Sequence, residues 1–86
     1  MEAKKRLHLA RQVERFLATA PFRHRFVEAV DAIEQNPYLN GSEDYAARPG
    51  CRKFRVGRYR IIYSFDKNAD VVNILVIDHR KSVYLK

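Results

Sequence analysis

Six cations lie close together in the second half of this chain, and no acidic residue separates them. Between Ala46 and Phe65 the sequence contains Arg48, Arg52, Lys53, Arg55, Arg58 and Arg60. Guanidinium and ammonium groups bind phosphate oxygens, and here they alternate with aromatic and aliphatic residues. The pattern predicts a basic surface on a β-sheet that suits a polyanion, with RNA as the first candidate. The alternative is an ordinary solvated strand face.

The charge of the whole chain is distributed unevenly. Residues 1–44 hold seven Lys/Arg and seven Asp/Glu, whereas residues 45–86 hold ten and three, so the second half carries the entire net charge of +7. Net charge bears on partners and association rates, not on the fold. Its segregation favours a phosphate-binding surface.

Composition limits the remaining classes of protein. With 86 residues and 47% apolar content, the chain is expected to form a single domain spanning residues 1–86. It lacks the long apolar runs of a membrane-spanning helix or a signal peptide. Cys51 is the only cysteine, which fits the cytoplasm. The histidines show no ligand spacing, so neither a metal nor another cofactor is expected.

The first 36 residues have the periodicity of helices. A first helical stripe consists of Val13, Phe16, Leu17 and Ala20. Pro21 is expected to end this helix and to begin the next one. A second amphipathic stripe follows at three- and four-residue steps until Asn36 and Pro37 stop it. It consists of Phe22, Phe26, Val27, Val30 and Ile33. Residues 6–10 alternate and predict a short first strand.

The period changes to two after residues 38–50, which are rich in turn residues. Residues 53–56 and 58–65 are predicted to form two strands joined by a tight turn at Gly57. Residues 71–77 are almost all apolar and β-branched, as in a central strand buried on both faces. The predicted fold is α+β, with an N-terminal helical hairpin packed on one face of a small, mainly antiparallel twisted sheet.

Alternation along the strands assigns the two faces of this sheet. The aromatic and aliphatic set is expected under the helices, and it comprises Phe54, Val56, Tyr59, Ile61, Tyr63 and Phe65. Lys53, Arg55 and Arg60 then share the open face. Neighbouring cations repel one another and lower stability unless an anion is bound. The sequence therefore favours a phosphate pocket. Further RNA contacts are expected from Arg48, Arg52, Arg58 and Lys81.

The residues after the last predicted strand add other candidates. His79 is the only histidine expected near the basic face, where an imidazole can transfer protons near neutral pH. A half-buried structural role is the alternative. Tyr84 can stack on a base, pass a proton or cover the edge of the sheet. Tyr38 and Tyr45, in the predicted loop, are expected to be packing residues.

Two parts of the sequence resemble the RelE/ParE superfamily of toxins. They are the run Gly57-Arg58-Tyr59-Arg60-Ile61-Ile62-Tyr63 and the set His79, Arg80 and Tyr84. The resemblance covers nearly the whole chain and implies the toxin half of a type II toxin–antitoxin pair. Its implied partner is an acidic, amphipathic antitoxin that wraps the sheet and helices and masks the basic face. Members of the RelE branch cut mRNA in the ribosomal A site, and members of the ParE branch inhibit DNA gyrase.

The resemblance to the RelE branch implies roles for single residues. Lys53 matches a catalytic lysine, and Arg60 matches the arginine that holds the scissile phosphate. Arg80 and Tyr84 match the arginine after the central strand and the C-terminal tyrosine. Arg55 departs from the pattern, because that branch often has a lysine there. Arginine keeps its proton and cannot act as the general base.

The implied reaction is metal-independent RNA cleavage. The ribose 2′-OH attacks the adjacent phosphodiester, which gives a 2′,3′-cyclic phosphate and a 5′-OH end. The reaction needs a base, cations that stabilise the phosphorane, and an acid for the leaving oxygen. The base is expected to be His79, Tyr84 or a readily deprotonated Lys53. Arg55 and Arg60 would stabilise the phosphate with Lys53 in support, and Arg80 would assist the leaving group or the phosphate.

Three functions remain open at this level. An endoribonuclease toxin would have mRNA and ribosomal RNA as partners, and a gyrase-directed toxin would act by binding alone. The third is a non-catalytic RNA-binding domain or a decayed toxin. DNA is expected as a partner only through an antitoxin complex, and no membrane partner is expected.

Overall fold

The computed structural model of the chain describes residues 6–79, which form a helical hairpin and a five-stranded sheet. Strand β1 (Arg6–Leu9) leads into helices α1 (Arg11–Thr19) and α2 (Arg23–Gln35). Strands β2 (Ser42–Asp44), β3 (Cys51–Val56), β4 (Tyr59–Asp66) and β5 (Val71–His79) follow. Neither helix is long and apolar enough to cross a membrane.

The strands lie in the order β1-β5-β4-β3-β2. β1 pairs in parallel with β5, and the other neighbours pair antiparallel. Both helices contribute buried side chains that pack on one face of this sheet. The predicted α+β fold is therefore confirmed, and the short alternating segment at residues 6–10 does form a strand.

One core joins the helices to the sheet. It consists of Val13, Leu17, Phe26, Ala29, Val30, Ile33, Ile61, Tyr63, Val72, Ile74 and Ile77. Tyr63 is fully buried on the middle strand, and its hydroxyl donates a hydrogen bond to the carbonyl oxygen of Pro37. Buried hydroxyls need such a partner. This bond ties the segment after α2 to the centre of the sheet.

The junction of the helices differs from the prediction. α2 begins at Arg23, and its N-cap residue is Phe22, which has a left-handed φ of 55°. Pro21 ends α1 as expected, but the chain needs one more residue to reverse its direction. Phe22 is consequently 68% exposed, and Val27 from the same predicted stripe is exposed as well. Ala29 occupies a buried position in its place.

The turn between β3 and β4 contains Gly57 and Arg58, since Val56 pairs directly with Tyr59. Gly57 has a φ of 60°. A positive φ at the first central residue is typical of a type II′ hairpin turn, and glycine adopts it without strain. β4 therefore begins one residue later than predicted, and Arg58 lies in the turn.

β5 contains a β-bulge that changes which side chains face the helices. Ile62 pairs with Val76, but the next residue of β4, Tyr63, pairs with Ile74. Leu75 is the extra residue, and such an insertion reverses the alternation beyond it. Leu75 and Val76 are only half-buried. The prediction that this strand is buried on both faces is wrong, because neither helix covers the open face.

Candidate nucleic-acid interface

The register between β3 and β4 determines the position of the basic residues. Arg55 pairs with Arg60, and Lys53 pairs with Ile62. Ile61, the neighbour of Arg60, is buried against the helices. Because side chains alternate along a strand, Lys53, Arg55 and Arg60 lie on the opposite, open face, as predicted. These three residues are called the open-face cluster below.

Two cations of the open-face cluster are paired with carboxylates that lie outside residues 46–65, the range that contains no acidic residue. Nε of Arg60 lies 2.9 Å from Oδ1 of Asp78, which is its register partner on β5. Nζ of Lys53 lies 3.4 Å from Oε1 of Glu43, its register partner on β2. Opposite charges at such positions stabilise a sheet. The expectation that only a bound anion can offset the repulsion is therefore wrong.

Arg60 keeps its positive charge throughout the physiological pH range. Its side chain is 17% exposed. The hydrogen bond with Asp78 raises the pKa of Arg60 above its ordinary value, and the nearby Tyr45 acts in the same direction, while burial opposes both. Arg60 can attract a phosphate, but it cannot exchange a proton during a reaction.

Arg55 differs from its two neighbours. It is exposed, and it takes part in no ion pair among residues 6–79. A phosphate can therefore bind Arg55 without first displacing a carboxylate. The residue that departs from the RelE pattern is thus the most accessible cation of the cluster.

Tyr45 also belongs to the open face, although its position in a predicted loop suggested a packing role. The centre of its ring lies 5.2 Å from Cζ of Arg60 and 5.9 Å from Nζ of Lys53. Cations are attracted to an aromatic ring at these distances. The N–H of Tyr45 donates to the carbonyl of Cys51 at 2.9 Å, which fixes the backbone beside the cluster.

His79 lies on the helix side of the sheet. It pairs in register with Tyr59, and the two ring centres are 4.9 Å apart in an edge-to-face arrangement. Tyr59 in turn packs against Phe16 and Phe26. The prediction that His79 lies near the basic face is wrong. The β-bulge in β5 turns Asp78 to the open face and His79 away from it.

Arg52 is also on the helix side, because its register partner is Tyr63. Its guanidinium donates to Oδ1 of Asp44 at 2.9 Å and to Oγ of Ser42 at 2.8 Å. Its Cζ lies 5.1 Å from the centre of the Tyr38 ring. Arg52 therefore lies on the face opposite the open-face cluster and forms an ion pair with Asp44 there, and its predicted contact with RNA stays a prediction.

The other predicted RNA contacts lie in exposed connecting segments or outside the described residues. Arg48 is exposed in the loop between β2 and β3, and Arg58 is exposed in the turn after β3. Arg80, Lys81 and Tyr84 lie outside the described residues, so their predicted roles stay predictions.

Gln12 fixes the end of β5 that carries Asp78. The pairing of β1 with β5 ends at Leu9 and Ile74. Beyond it, the amide nitrogen of Gln12 donates to the carbonyl of Ile77 at 2.9 Å, and its amide oxygen accepts the N–H of Ile77 at 3.1 Å. This side chain takes the place of a neighbouring strand and holds Asp78 beside Arg60.

Comparisons with known proteins agree with this fold. The family model described as the ParE toxin of the type II toxin–antitoxin system, parDE, matches residues 3–84. A comparison with curated proteins gave no match. The archaeal RelE–RelB complex from Pyrococcus horikoshii is similar, with 26% identity, a TM-score of 0.76, and coverage of 91% of this chain and 97% of that chain.

Two further structures share the fold. The RelB–RelE complex from Methanococcus jannaschii has 21% identity, a TM-score of 0.71, and coverage of 91% of this chain and 95% of that one. The isolated E. coli RelE toxin has 16% identity, a TM-score of 0.74, and coverage of 93% and 90%. Because the family model spans nearly the whole chain and these structures share its architecture, this protein belongs to the RelE/ParE superfamily of type II toxins.

Proposed function

We propose that this toxin is an endoribonuclease that cleaves mRNA on the ribosome, with the open-face cluster at the scissile phosphate. The observation that supports this proposal is the position of Arg55, an exposed cation directly across from Arg60 and outside every ion pair of residues 6–79. The three solved structures described above contain RelE toxins. A shared fold does not by itself establish an activity, so the proposal depends on the cluster.

The three cations have different parts in this proposal. Arg55 binds the incoming phosphate first, and Arg60 contributes a fixed charge to the developing phosphorane. Lys53 is held by Glu43, whose side chain is 67% exposed. An exposed ion pair contributes only about 0–1 kcal/mol, so a phosphate can replace Glu43 as the partner of Lys53.

Proton transfer must come from groups other than the arginines. The 2′-oxygen loses its proton as it attacks phosphorus, and the leaving 5′-oxygen gains one. His79 lies on the helix side, away from the cluster. The base is therefore to be sought in Lys53 or Glu43 on the open face, or in Tyr84 outside the described residues.

We also propose a cognate antitoxin as the partner. The net charge of +7 favours an acidic protein, and two of the similar solved structures are complexes of RelE with RelB. An acidic, amphipathic segment laid over the open-face cluster would compete with RNA. RNA binding should therefore fall when the antitoxin is added, and undiminished binding in the complex would contradict this masking.

The proposed activity is tested by inducing the protein in a bacterium while mRNA 5′ ends and DNA breaks are mapped. We expect growth arrest with mRNA cut within codons. Arg55→Gln should abolish both effects, whereas Arg15→Gln, a matched change at an exposed arginine of α1, should leave them intact. Cleavage and arrest that are equal in all three proteins would show that the cluster is not the site.

Inhibition of DNA gyrase is a second candidate function. The match to the ParE family model favours it. The Arg60–Asp78 ion pair also agrees with it, because an arginine with a purely structural role would form the same pair. It predicts DNA breaks and filamentation with intact mRNA, and no sensitivity to Arg55→Gln. An induced protein that binds RNA without any effect on growth would contradict both candidates.

A further inference from the structure

A cleft of about 430 Å³ lies at the end of the sheet, beside the connection between β2 and β3. Its lining includes three aromatic rings, one arginine and one acid, and these residues define the end pocket: Tyr38, Asp44, Tyr45, Arg52 and Phe65. Aromatic rings beside hydrogen-bonding groups are the surroundings that proteins provide for an unstacked nucleobase. The end pocket therefore has the residue types of a base-binding site.

Tyr45 connects the end pocket with the open-face cluster. The centre of its ring lies 5.2 Å from Cζ of Arg60, and the same residue lines the end pocket. A phosphate bound at Arg60 is thus separated from the end pocket by a single side chain. A base on a neighbouring nucleotide of the same strand can reach across that distance.

Asp44 is the acid of the end pocket, and Arg52 holds its carboxylate in place. Nη1 of Arg52 donates to Oδ1 of Asp44 at 2.9 Å, and Nη2 donates to Oγ of Ser42 at 2.8 Å. Cζ of Arg52 also lies 5.1 Å from the centre of the Tyr38 ring. The arginine is therefore fixed, whereas the side chain of Asp44 is 91% exposed. Because a carboxylate accepts several hydrogen bonds, Asp44 can bind a further donor without releasing Arg52.

A fixed carboxylate distinguishes among the four RNA bases. Guanine alone has two adjacent donors on its Watson–Crick edge, N1–H and the N2 amino group, and they match the two oxygens of a carboxylate. Adenine and cytosine present one amino group beside an acceptor nitrogen, and uracil presents one N–H between two carbonyl oxygens. Bidentate bonds to a charged group are the strong ones. Asp44 should therefore select guanine.

We propose that the end pocket binds a guanine base of the RNA strand whose phosphate lies at the open-face cluster. The base stacks on Tyr45, Asp44 accepts from N1–H and the N2 amino group, and Arg52 is the positioning residue. This inference rests on the proposed function, because a phosphate at Arg55 and Arg60 brings the base to the pocket. It adds a sequence preference that the cations cannot provide, since phosphate contacts carry no sequence information.

The pocket is tested by NMR titration of the ¹⁵N-labelled protein with guanosine 5′-monophosphate. We expect saturable shifts at the amides of Asp44, Tyr45 and Arg52, with a Kd of about 1 mM. Inosine 5′-monophosphate, which lacks the N2 amino group, should bind about fivefold to tenfold more weakly because one hydrogen bond is lost. Adenosine 5′-monophosphate should shift only amides near Arg55 and Arg60. Equal shifts at Asp44 with the guanosine and adenosine nucleotides would overturn the proposal.

Asp44→Asn localises the binding. It should weaken guanosine 5′-monophosphate by about fivefold or more, as expected for a bidentate contact with a base, and it should leave the adenosine nucleotide unaffected. The ion pair that it breaks is exposed and contributes little to stability, so the fold is retained. Asp31→Asn, at an exposed acid of α2, is the matched control and should affect neither nucleotide. An equal loss of both nucleotides in Asp44→Asn would show that the pocket does not read the base.

Mapping of mRNA 5′ ends in induced cells separates this inference from the proposed function. The parent protein should cut with a guanine at one fixed position beside the cut, and Asp44→Asn should lose that preference. Cleavage by the parent without any preference for guanine would leave the endoribonuclease proposal intact and refute the guanine pocket. Absence of cleavage, together with guanosine 5′-monophosphate binding that depends on Asp44, would refute the endoribonuclease proposal and support the pocket.

Discussion

The ion pair between Arg60 and Asp78 gives the sharpest test of how the open-face cluster works. Asp78→Asn keeps the shape of the side chain and an oxygen that can accept from Nε of Arg60, but it removes the negative charge. The side chains of Arg60 and Asp78 are only 17% and 28% exposed, so water screens the pair weakly. The change should therefore weaken folding and, at the same time, release the charge of Arg60 toward a ligand.

The size of both effects follows from the geometry. Arg60 stays charged in this variant, so a hydrogen bond to a charged group remains and only the attraction of an opposite-charge cross-strand pair is lost, roughly 0.2–1 kcal/mol. The free energy of unfolding should therefore fall by at most about 1 kcal/mol, which corresponds to about 4–8 °C in Tm for a domain of this size. RNA should bind more tightly. One additional phosphate contact should also make the slope of log K against log salt concentration more negative by about 0.7 for single-stranded RNA.

Urea denaturation measures the first effect of Asp78→Asn, and fluorescence anisotropy with an RNA oligonucleotide at several salt concentrations measures the second. Asp31→Asn is the matched control, because it changes the net charge equally at an exposed position on α2. Equal RNA affinity and equal salt slope in the two variants would refute the argument that Arg60 contacts phosphate. Arg60 would then be a structural residue.

Three other predictions concern the groups that position the cluster. Tyr63→Phe should lower the free energy of unfolding by about 1–3 kcal/mol, because the buried carbonyl of Pro37 loses its donor; unchanged urea stability would contradict that bond. Gln12→Leu should speed hydrogen exchange at the amide of Ile77, and unchanged protection would show that the side chain does not replace a strand. Because its pKa is raised, the stabilising contribution of charged Arg60 is complete below its unfolded pKa and is lost only as pH rises through the still higher folded value. A change in the free energy of unfolding between about pH 6 and 9 that is present in the parent protein and absent from Arg60→Gln would contradict this.

The positions of Lys53, Arg55 and Arg60 could be predicted from the sequence because they depend on alternation alone. The acids that partner them could not. Glu43 lies in β2, a strand of three residues within a segment rich in turn residues, and such a strand has too few positions to show a period. The packing role predicted for Tyr45 has the same origin. The side of the sheet on which Tyr45 lies follows from the pairing of Ser42–Asp44 with β3, and the sequence does not show that pairing.

The helical hairpin shows a different limit of sequence reasoning. Pro21 correctly marked the end of α1, because proline has no N–H to continue a helix. Periodicity then placed Phe22 on the buried stripe of α2. A phenylalanine with a left-handed backbone is rare, so no pattern of residue types predicts that Phe22 becomes the N-cap and leaves the core. That departure from the pattern leaves the ring of Phe22 exposed at the start of α2.

The β-bulge in β5 has the largest consequence for chemistry. Strict alternation from Val72 and Ile74 would place His79 on the open face and Asp78 under the helices. One extra residue, Leu75, exchanges these two positions. The open face consequently gains a carboxylate that holds Arg60 and loses an imidazole that could have moved a proton. Binding of phosphate and transfer of protons are therefore separate requirements in this protein, and a cluster that satisfies the first does not by itself supply the second. A base must come from Lys53, Glu43 or the residues after β5 if the toxin cuts RNA, whereas none is needed if it acts by binding alone.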